Sequence, residues 1–347
     1  MARNERGGSR AGSSGQGDVD AGPQFTRDLS WTPLMHAAAD GDIEAAEKHL
    51  SDKDKKNSEG DTALIIAARA GHKNIVELLD PTDKNGFTAL MRAAQRNDLA
   101  TARALAPLQE GQKASGDFKI DEVTRYKGGT ALMMAAARGY AEIVELLACY
   151  EGGVKVGGWT ALVFAARSGL SSNRSNDPLV DYPRCVELLV GYESSVSGWT
   201  GLIYAAYRGD IGAVRNNLHM KRSQDAGGWT ALMYAAAQGH EGVVELLKKE
   251  SGMENNTGQT ALMWAARNDH PECVKLLFGR ESGMKNDKGW TALMNAVWGD
   301  HIKCVELLLM ERQLMTVCDY CGYPPRTTAL DIAKKKGHKE IVDILSK

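Results

Sequence analysis

The chain has 347 residues, 43% of them hydrophobic and 25% charged, with a formal net charge of −2. That is the composition of a globular protein, and it gives no overall pull toward nucleic acid or a membrane surface. No apolar stretch approaches the length of a membrane span, and six cysteines without a secretory leader point to reduced thiols in a cytoplasmic setting.

Residues 1–27 are rich in Gly, Ser and charge and hold almost nothing apolar, so they are expected to form a disordered tail. They lack the apolar core of a signal peptide, and Ala2 does not suit myristoylation. From residue 28 onward one phrase dominates. It recurs on Thr32, Thr62, Thr88, Thr130, Thr160, Thr200, Thr230, Thr260, Thr291 and Thr328, most often 30 residues apart. A period of that size signals an array of stacked units.

With the Thr as slot 1, each copy reads as a short helix first. Thr suits an N-cap, and Pro33 in slot 2 of the first copy marks the first helical position. Slot 3 is Leu and slot 6 is Ala in all ten copies, and slot 7 is Ala in eight. Small side chains there let helices approach closely. Slot 10 holds only Gly, Asn or Asp, as in Gly41, Asn97, Gly169 and Asp269. These residues tolerate a left-handed backbone, so the helix is expected to end there in every copy. Slot 11 is His or Asp in most copies and opens a second helix, which carries an apolar signature such as "IVELL" at 75–79 or "VVELL" at 243–247. Gly-rich polar residues then lead to the next Thr. No copy can bury its apolar faces alone, so the copies must stack.

"WTPLMHAAADGD" at 31–42 is the nearest match to the ankyrin signature, T-P-L-H-x-A with a 33-residue period, and the other copies keep Thr, Leu, Ala-Ala and Gly-His. The chain resembles the ankyrin-repeat family over residues 28–347. Its Ala- and Trp-rich wording is similar to that of ankyrin-repeat proteins from diplomonad protists. The resemblance implies an all-α solenoid of about ten helix–turn–helix repeats with β-hairpin fingers between units. The shorter period removes residues from those fingers, so they should be short. Polar residues in the first outer helix and Lys334 in the last inner helix suit caps. Three stretches break the period, near residues 107–129, 170–184 and 310–326, and read as insertions that are either drift or carriers of binding specificity.

Candidate functional residues fall in two rows. The slot before the Thr holds Trp31, Trp159, Trp199, Trp229 and Trp290. They brace the fingers, with Trp159, Trp199 and Trp229 stacking edge to edge, or they anchor a partner. Slots 8 and 9, in the last turn of the inner helix, hold a cation in seven copies: Arg69, Arg96, Arg138, Arg167, Arg208, Arg267 and the pair Lys335/Lys336. Tyr207 and Trp298 share these slots. The resemblance places them on the concave face. A basic stripe steers an acidic protein surface or peptide, and the helix macrodipole accounts equally for cations at these ends. The aromatic row at slot 5 (Phe164, Tyr204, Tyr234, Trp264) reads as packing between units.

Cys318 and Cys321 form the only metal-like pair, without a second Cys pair nearby, while Cys273 and Cys304 occupy apolar core slots. No phosphate loop, nucleophile elbow or paired catalytic carboxylate is visible. The expectation is a non-enzymatic, monomeric scaffold or adaptor that binds protein partners and needs no cofactor or metal. The rival readings are a metal or enzymatic role centred on Cys318/Cys321, and nucleic-acid binding through the Arg stripe, which the near-neutral charge disfavours.

Overall fold

The computed structural model describes residues 30–119, 125–171, 177–319 and 321–347. The tail expected at 1–27 lies outside the described residues. Ten helix pairs follow one another. The first five are α1 (Pro33–Asp40) with α2 (Ile43–Lys48), α3 (Ala63–Arg69) with α4 (Lys73–Leu79), α5 (Ala89–Gln95) with α6 (Leu99–Gln109), α7 (Ala131–Ala136) with α8 (Ala141–Glu151), and α9 (Ala161–Ser171) with α10 (Tyr182–Ser197). The others are α11 (Gly201–Arg208) with α12 (Ile211–Asn216), α13 (Ala231–Gln238) with α14 (Glu241–Leu247), α15 (Ala261–Arg267) with α16 (Pro271–Glu281), α17 (Ala292–Trp298) with α18 (Ile302–Leu307), and α19 (Ala329–Lys336) with α20 (Lys339–Leu345). The fold is an all-α solenoid, as the repeat predicts.

Each inner helix starts where the Thr caps it. In eight copies the Thr hydroxyl accepts from the backbone amide of slot 4, as Thr230 does from Met233 at 3.3 Å. The slot-3 Leu and slot-6 Ala side chains turn inward, and one hydrophobic cluster runs from Leu34 to Leu345. Inner helices pack on inner helices: α1 on α3, α5 on α7, α7 on α9, then α11, α13, α15, α17 and α19 in succession. The outer row includes α8 on α10, α14 on α16 and α16 on α18.

Slot 10 adopts a left-handed backbone in nine copies, with φ between 57° at Asn97 and 82° at Gly71 and Gly337. Gly169 departs from the expectation. It does not end its helix, and α9 continues to Ser171. The reason lies in the insertion that follows. Without a second helix starting at slot 11, nothing forces the chain to reverse there. Tyr182 then takes over the next duty of the missing turn. In other copies the slot-11 His reaches back to a slot-8 carbonyl of the preceding repeat: His72 Nε2 to Ala39 at 3.0 Å, His240 to Tyr207 at 3.0 Å, His301 to Arg267 at 2.9 Å. A carbonyl only accepts, so the imidazole carries its proton on Nε2. In repeat 5 the Tyr182 hydroxyl donates to the matching carbonyl, Ala137, at 3.4 Å.

The fingers are mostly tight loops rather than hairpins. In five of them an Asn or Asp accepts two backbone amides, as Asn286 Oδ1 does from Lys288 at 3.0 Å and from Trp290 at 2.8 Å. Asn57, Asp83, Asp225 and Asn255 repeat the pattern. Neighbouring loops are tied by single backbone bonds, such as Asn256 N–H to Gly227 and Val317 N–H to Lys288, both at 3.1 Å. The long segment between α6 and α7 carries the one β-ladder among the described residues, β1 (Asp117–Lys119) antiparallel to β2 (Arg125–Lys127).

Candidate partner-binding face

The ends of the inner helices and the adjoining finger bases bring the two rows of candidate residues together. The tryptophans are drawn in rather than presented. Trp229 is fully buried, Trp199 is 4% exposed and Trp290 3%. Trp31 and Trp159 are half-buried. The expected edge-to-edge stack of Trp159, Trp199 and Trp229 takes another form. Trp199 meets Tyr207 and Tyr234 with ring centroids 5.7 and 5.0 Å apart, and Tyr234 meets Trp229 at 4.8 Å. Trp229 in turn meets Trp264 at 4.4 Å. Tyr234, in slot 5, is therefore the link between the Trp199 and Trp229 indoles.

Arg167 joins the same cluster. Its guanidinium carbon lies 4.0 Å from the Trp159 ring centroid and 4.8 Å from that of Trp229, a cation held between two π faces. Beneath it Asp225 accepts from the Gly227 and Trp229 amides at 2.8 and 2.9 Å and from the Tyr234 hydroxyl at 2.6 Å. Burial pushes the Asp225 carboxyl up, and the Tyr234 hydroxyl, the loop amides and Arg167 pull it back.

The remaining stripe residues differ in how far they reach solvent. Arg138 is half-buried, bonds the Met134 carbonyl of its own helix at 3.3 Å, and is pushed below its ordinary value by burial. Tyr207 is 5% exposed. Arg208 is exposed and donates to the Tyr204 hydroxyl at 3.1 Å, which raises its guanidinium further. Arg267 is half-buried over the Trp264 ring, 5.2 Å from its centroid. Arg69 pairs with Asp61, while Arg96 is exposed. At the C-terminal end Trp298 packs with Trp290 and Tyr323, and Lys336 Nζ lies 3.5 Å above the Trp298 ring.

A further repeated feature escaped the sequence reading. Each inner helix leaves its slot-3 amide without a helical partner, and in five repeats a buried Glu accepts it. Glu281 accepts from Leu262 at 2.7 Å and, with its other oxygen, from Gly252 in the preceding loop at 2.9 Å. Glu151, Glu193, Glu250 and Glu311 make the same pair of bonds in their own repeats. Gln109 takes the place of the Glu in repeat 3, accepting from Leu90 at 2.9 Å. Burial raises the carboxyls of Glu151, Glu193 and Glu281 above their ordinary range, and the donated amides offset part of the rise. The signal was available, since four of these Glu fall 20 or 21 residues after the repeat Thr.

A family model described as ankyrin repeats (three copies) matches residues 18–84, 34–115, 108–175, 179–257, 243–319 and 281–347. The chain belongs to the ankyrin-repeat family. Ankyrin repeats are in general protein-interaction modules. A search of curated proteins found no match. In this ankyrin array no helix among the described residues is long and apolar enough to cross a membrane. Among the same residues no group of three or more His, Cys, Asp or Glu side chains is placed to hold a metal ion, so Cys318 and Cys321 gain no further ligand. The thiols of Cys185, Cys273 and Cys304 are buried and pushed up to about 12, chiefly by burial, which suits packing and not nucleophilic work.

Proposed function

We propose that this ankyrin chain is a non-enzymatic, monomeric scaffold or adaptor of the cytoplasm, and that protein partners with acidic surfaces lie across its inner-helix ends and finger bases. One observation carries the reading. Arg96, Arg208, Lys335 and Lys336 stand exposed in the same two slots of well-separated repeats. Arg96 and Arg208 have no ion pair among the described residues, so their charge remains available to steer an approaching partner. In this reading Arg208, Trp298 and Trp159 reach the partner directly, Arg138 and Arg267 contribute partly, and Tyr207, Arg167, Trp199, Trp229 and Trp290 hold the surface in shape. The rivals, metal or enzymatic chemistry and nucleic-acid binding, draw no comparable support from a particular residue group.

The test is proximity labelling in the native cell with the wild-type chain and with the triple change Arg96→Glu, Arg208→Glu and Lys336→Glu. The expected result is loss of the main labelled partners at unchanged thermal stability. An unchanged partner set would refute the reading, and a salt-sensitive gel shift with nucleic acid would replace it.

A further inference from the structure

Repeats 5 and 6 meet unlike any other pair of neighbours. Across every other junction a helix of one repeat packs on a helix of the next, as α7 does on α9, α11 on α13 and α3 on α6. Among the described residues no helix of repeat 5 packs closely on a helix of repeat 6. The two recurring ties are missing as well. Met220 stands where the buried Glu of repeats 7 to 9 would reach the preceding loop. Asp210, in the slot of the His, caps its own helix instead, accepting the Ala213 amide at 2.9 Å. The cause is the connection. α10 runs on to Ser197 and α11 starts at Gly201, so Gly198, Trp199 and Thr200 alone join the repeats, where residues 282–291 join α16 to α17. The residues that elsewhere form a finger and seat the next inner helix are spent on extending α10.

Side chains still meet across the junction. Tyr207 of α11 faces Cys185 of α10, and beside the connection the Ala226 amide donates to the Ser197 carbonyl at 3.1 Å. Away from the connection a groove of about 450 Å³ separates Asp181 and Glu187 of α10 from Tyr204 and Arg208 of α11. Arg167 spans the junction. It belongs to repeat 5, as Trp159 does, yet its guanidinium also lies 4.8 Å from the Trp229 ring centroid and acts on the Asp225 carboxyl, both in the loop after repeat 6. Gly227 in that loop leaves room for it, since an added Cβ would stand 2.9 Å from Arg167 Nη1.

We propose that the array is hinged between repeats 5 and 6. Repeats 1–5 and repeats 6–10 move as two blocks about Gly198 and Gly201, and Arg167 latches them through the Trp229 loop. A hinge needs a few element-terminal residues that absorb a backbone rotation. Gly198 ends α10 at φ 80°, and Gly201 is the one Gly in slot 2 among the ten copies, so neither carries a Cβ to resist it. In a stack where each repeat is held by its neighbours, the junction without helix packing yields first. The swing changes the spacing between Arg96 on one block and Lys336 on the other, and so sets how broad a partner the stripe can meet.

The experiment measures distance distributions between paired spin labels by double electron–electron resonance, in the full chain with Cys149, Cys318 and Cys321 changed to Ser. One pair, Glu145→Cys with Glu245→Cys, joins exposed outer-helix positions of repeats 4 and 7 across the hinge. The other, Arg215→Cys with Glu306→Cys, joins the same slot of repeats 6 and 9 within the second block. The first distribution should be about twofold broader than the second, as expected when one of the junctions spanned lacks helix packing. Arg167→Met should broaden the first further and leave the second unchanged, which also shows that the second block remains folded. Equal widths for the two pairs overturn the hinge. A first distribution that Arg167→Met leaves unchanged overturns the latch.

Discussion

Glu281, at the end of its outer helix, holds the backbone amide of Leu262 at 2.7 Å across the full width of its own repeat. The other carboxylate oxygen takes the Gly252 amide of the preceding loop. One side chain thus satisfies an amide that the helix cannot and ties two repeats together. Glu281→Ala leaves two amides without partners, at about 1–3 kcal/mol for each buried donor left unmade. The expected outcome is a clear fall in the urea midpoint, with exchange protection lost first in repeats 7 and 8. A midpoint within error of wild type would show that the ladder is idle.

The same carboxyl gives the array a pH dependence. Burial raises the Glu281 carboxyl from its ordinary 4.5, so the folded state binds the proton more tightly than the unfolded state. Its contribution to stability is therefore fully present below that ordinary value and is lost as pH rises through the raised one. Glu281→Gln does not titrate. The difference in stability between Glu281→Gln and wild type should move in favour of the variant as pH rises from about 4 toward neutrality. Chemical unfolding at a series of pH values checks this, and movement in the opposite direction would mean that the two donated amides outweigh burial.

Trp199 sits in the slot where bracing and anchoring make opposite demands. With 4% of its surface exposed and with Tyr207 and Tyr234 against its ring, it offers little to a partner and much to the core. Trp199→Ala should cost about 3–5 kcal/mol, as large aromatic truncations in cores do. Because each repeat touches only its neighbours, the loss should concentrate in repeats 5 to 7 and not spread evenly. Hydrogen exchange resolves that. An unchanged unfolding midpoint combined with lost partner binding would restore the anchoring role.

The helices, their caps and nearly all their ends were legible because they are local. A Thr N-cap, a Leu, two small residues and a left-handed slot fall within ten consecutive residues, and ten copies repeat the message. The exceptions are non-local. Gly169 has the residue type for a helix end but not the neighbouring second helix that would compel it, so the backbone runs on to Ser171. Tyr182 replaces the His of other copies after an insertion, at a sequence distance that no period marks. The charge stripe was legible as a list of residues, yet its meaning divides only in three dimensions. Arg167 and Arg208 occupy neighbouring slots of successive repeats, and one lies between two indoles while the other stands in solvent.

Arg167 and Asp225 are coupled through the Trp229 loop. Arg167 pulls the buried Asp225 carboxyl down, and Asp225 holds the loop amides that set the Trp229 ring beneath the guanidinium. Arg167→Met keeps an apolar stem between the rings but removes the charge, and Asp225→Asn keeps an acceptor but removes the counter-charge. Each single change should destabilise, and the double change should cost less than their sum by about 0.5–3 kcal/mol. A double-mutant cycle by urea unfolding reads this directly. Strict additivity would mean that Arg167 is held by the indoles alone.

Two glycines in the same slot separate backbone strain from crowding. Gly71 and Gly239 both end inner helices, at φ 82° and 77°. An added Cβ at Gly71 would meet nothing within 4 Å, whereas at Gly239 it would stand 2.6 Å from His270 Nδ1. Gly71→Ala should therefore carry only the left-handed penalty of about 1–2 kcal/mol. Gly239→Ala should carry the same penalty and also displace the imidazole, whose Nε2 lies 3.1 Å from the Ala237 carbonyl. That carbonyl also accepts from the Asn268 side chain at 2.7 Å, so it would keep one partner. The loss at Gly239 should accordingly exceed that at Gly71 by about the net worth of one hydrogen bond, roughly 0.5–1.5 kcal/mol. Paired unfolding curves decide the matter. Equal losses would show that His270 swings aside freely and that its bond to the neighbouring repeat contributes nothing.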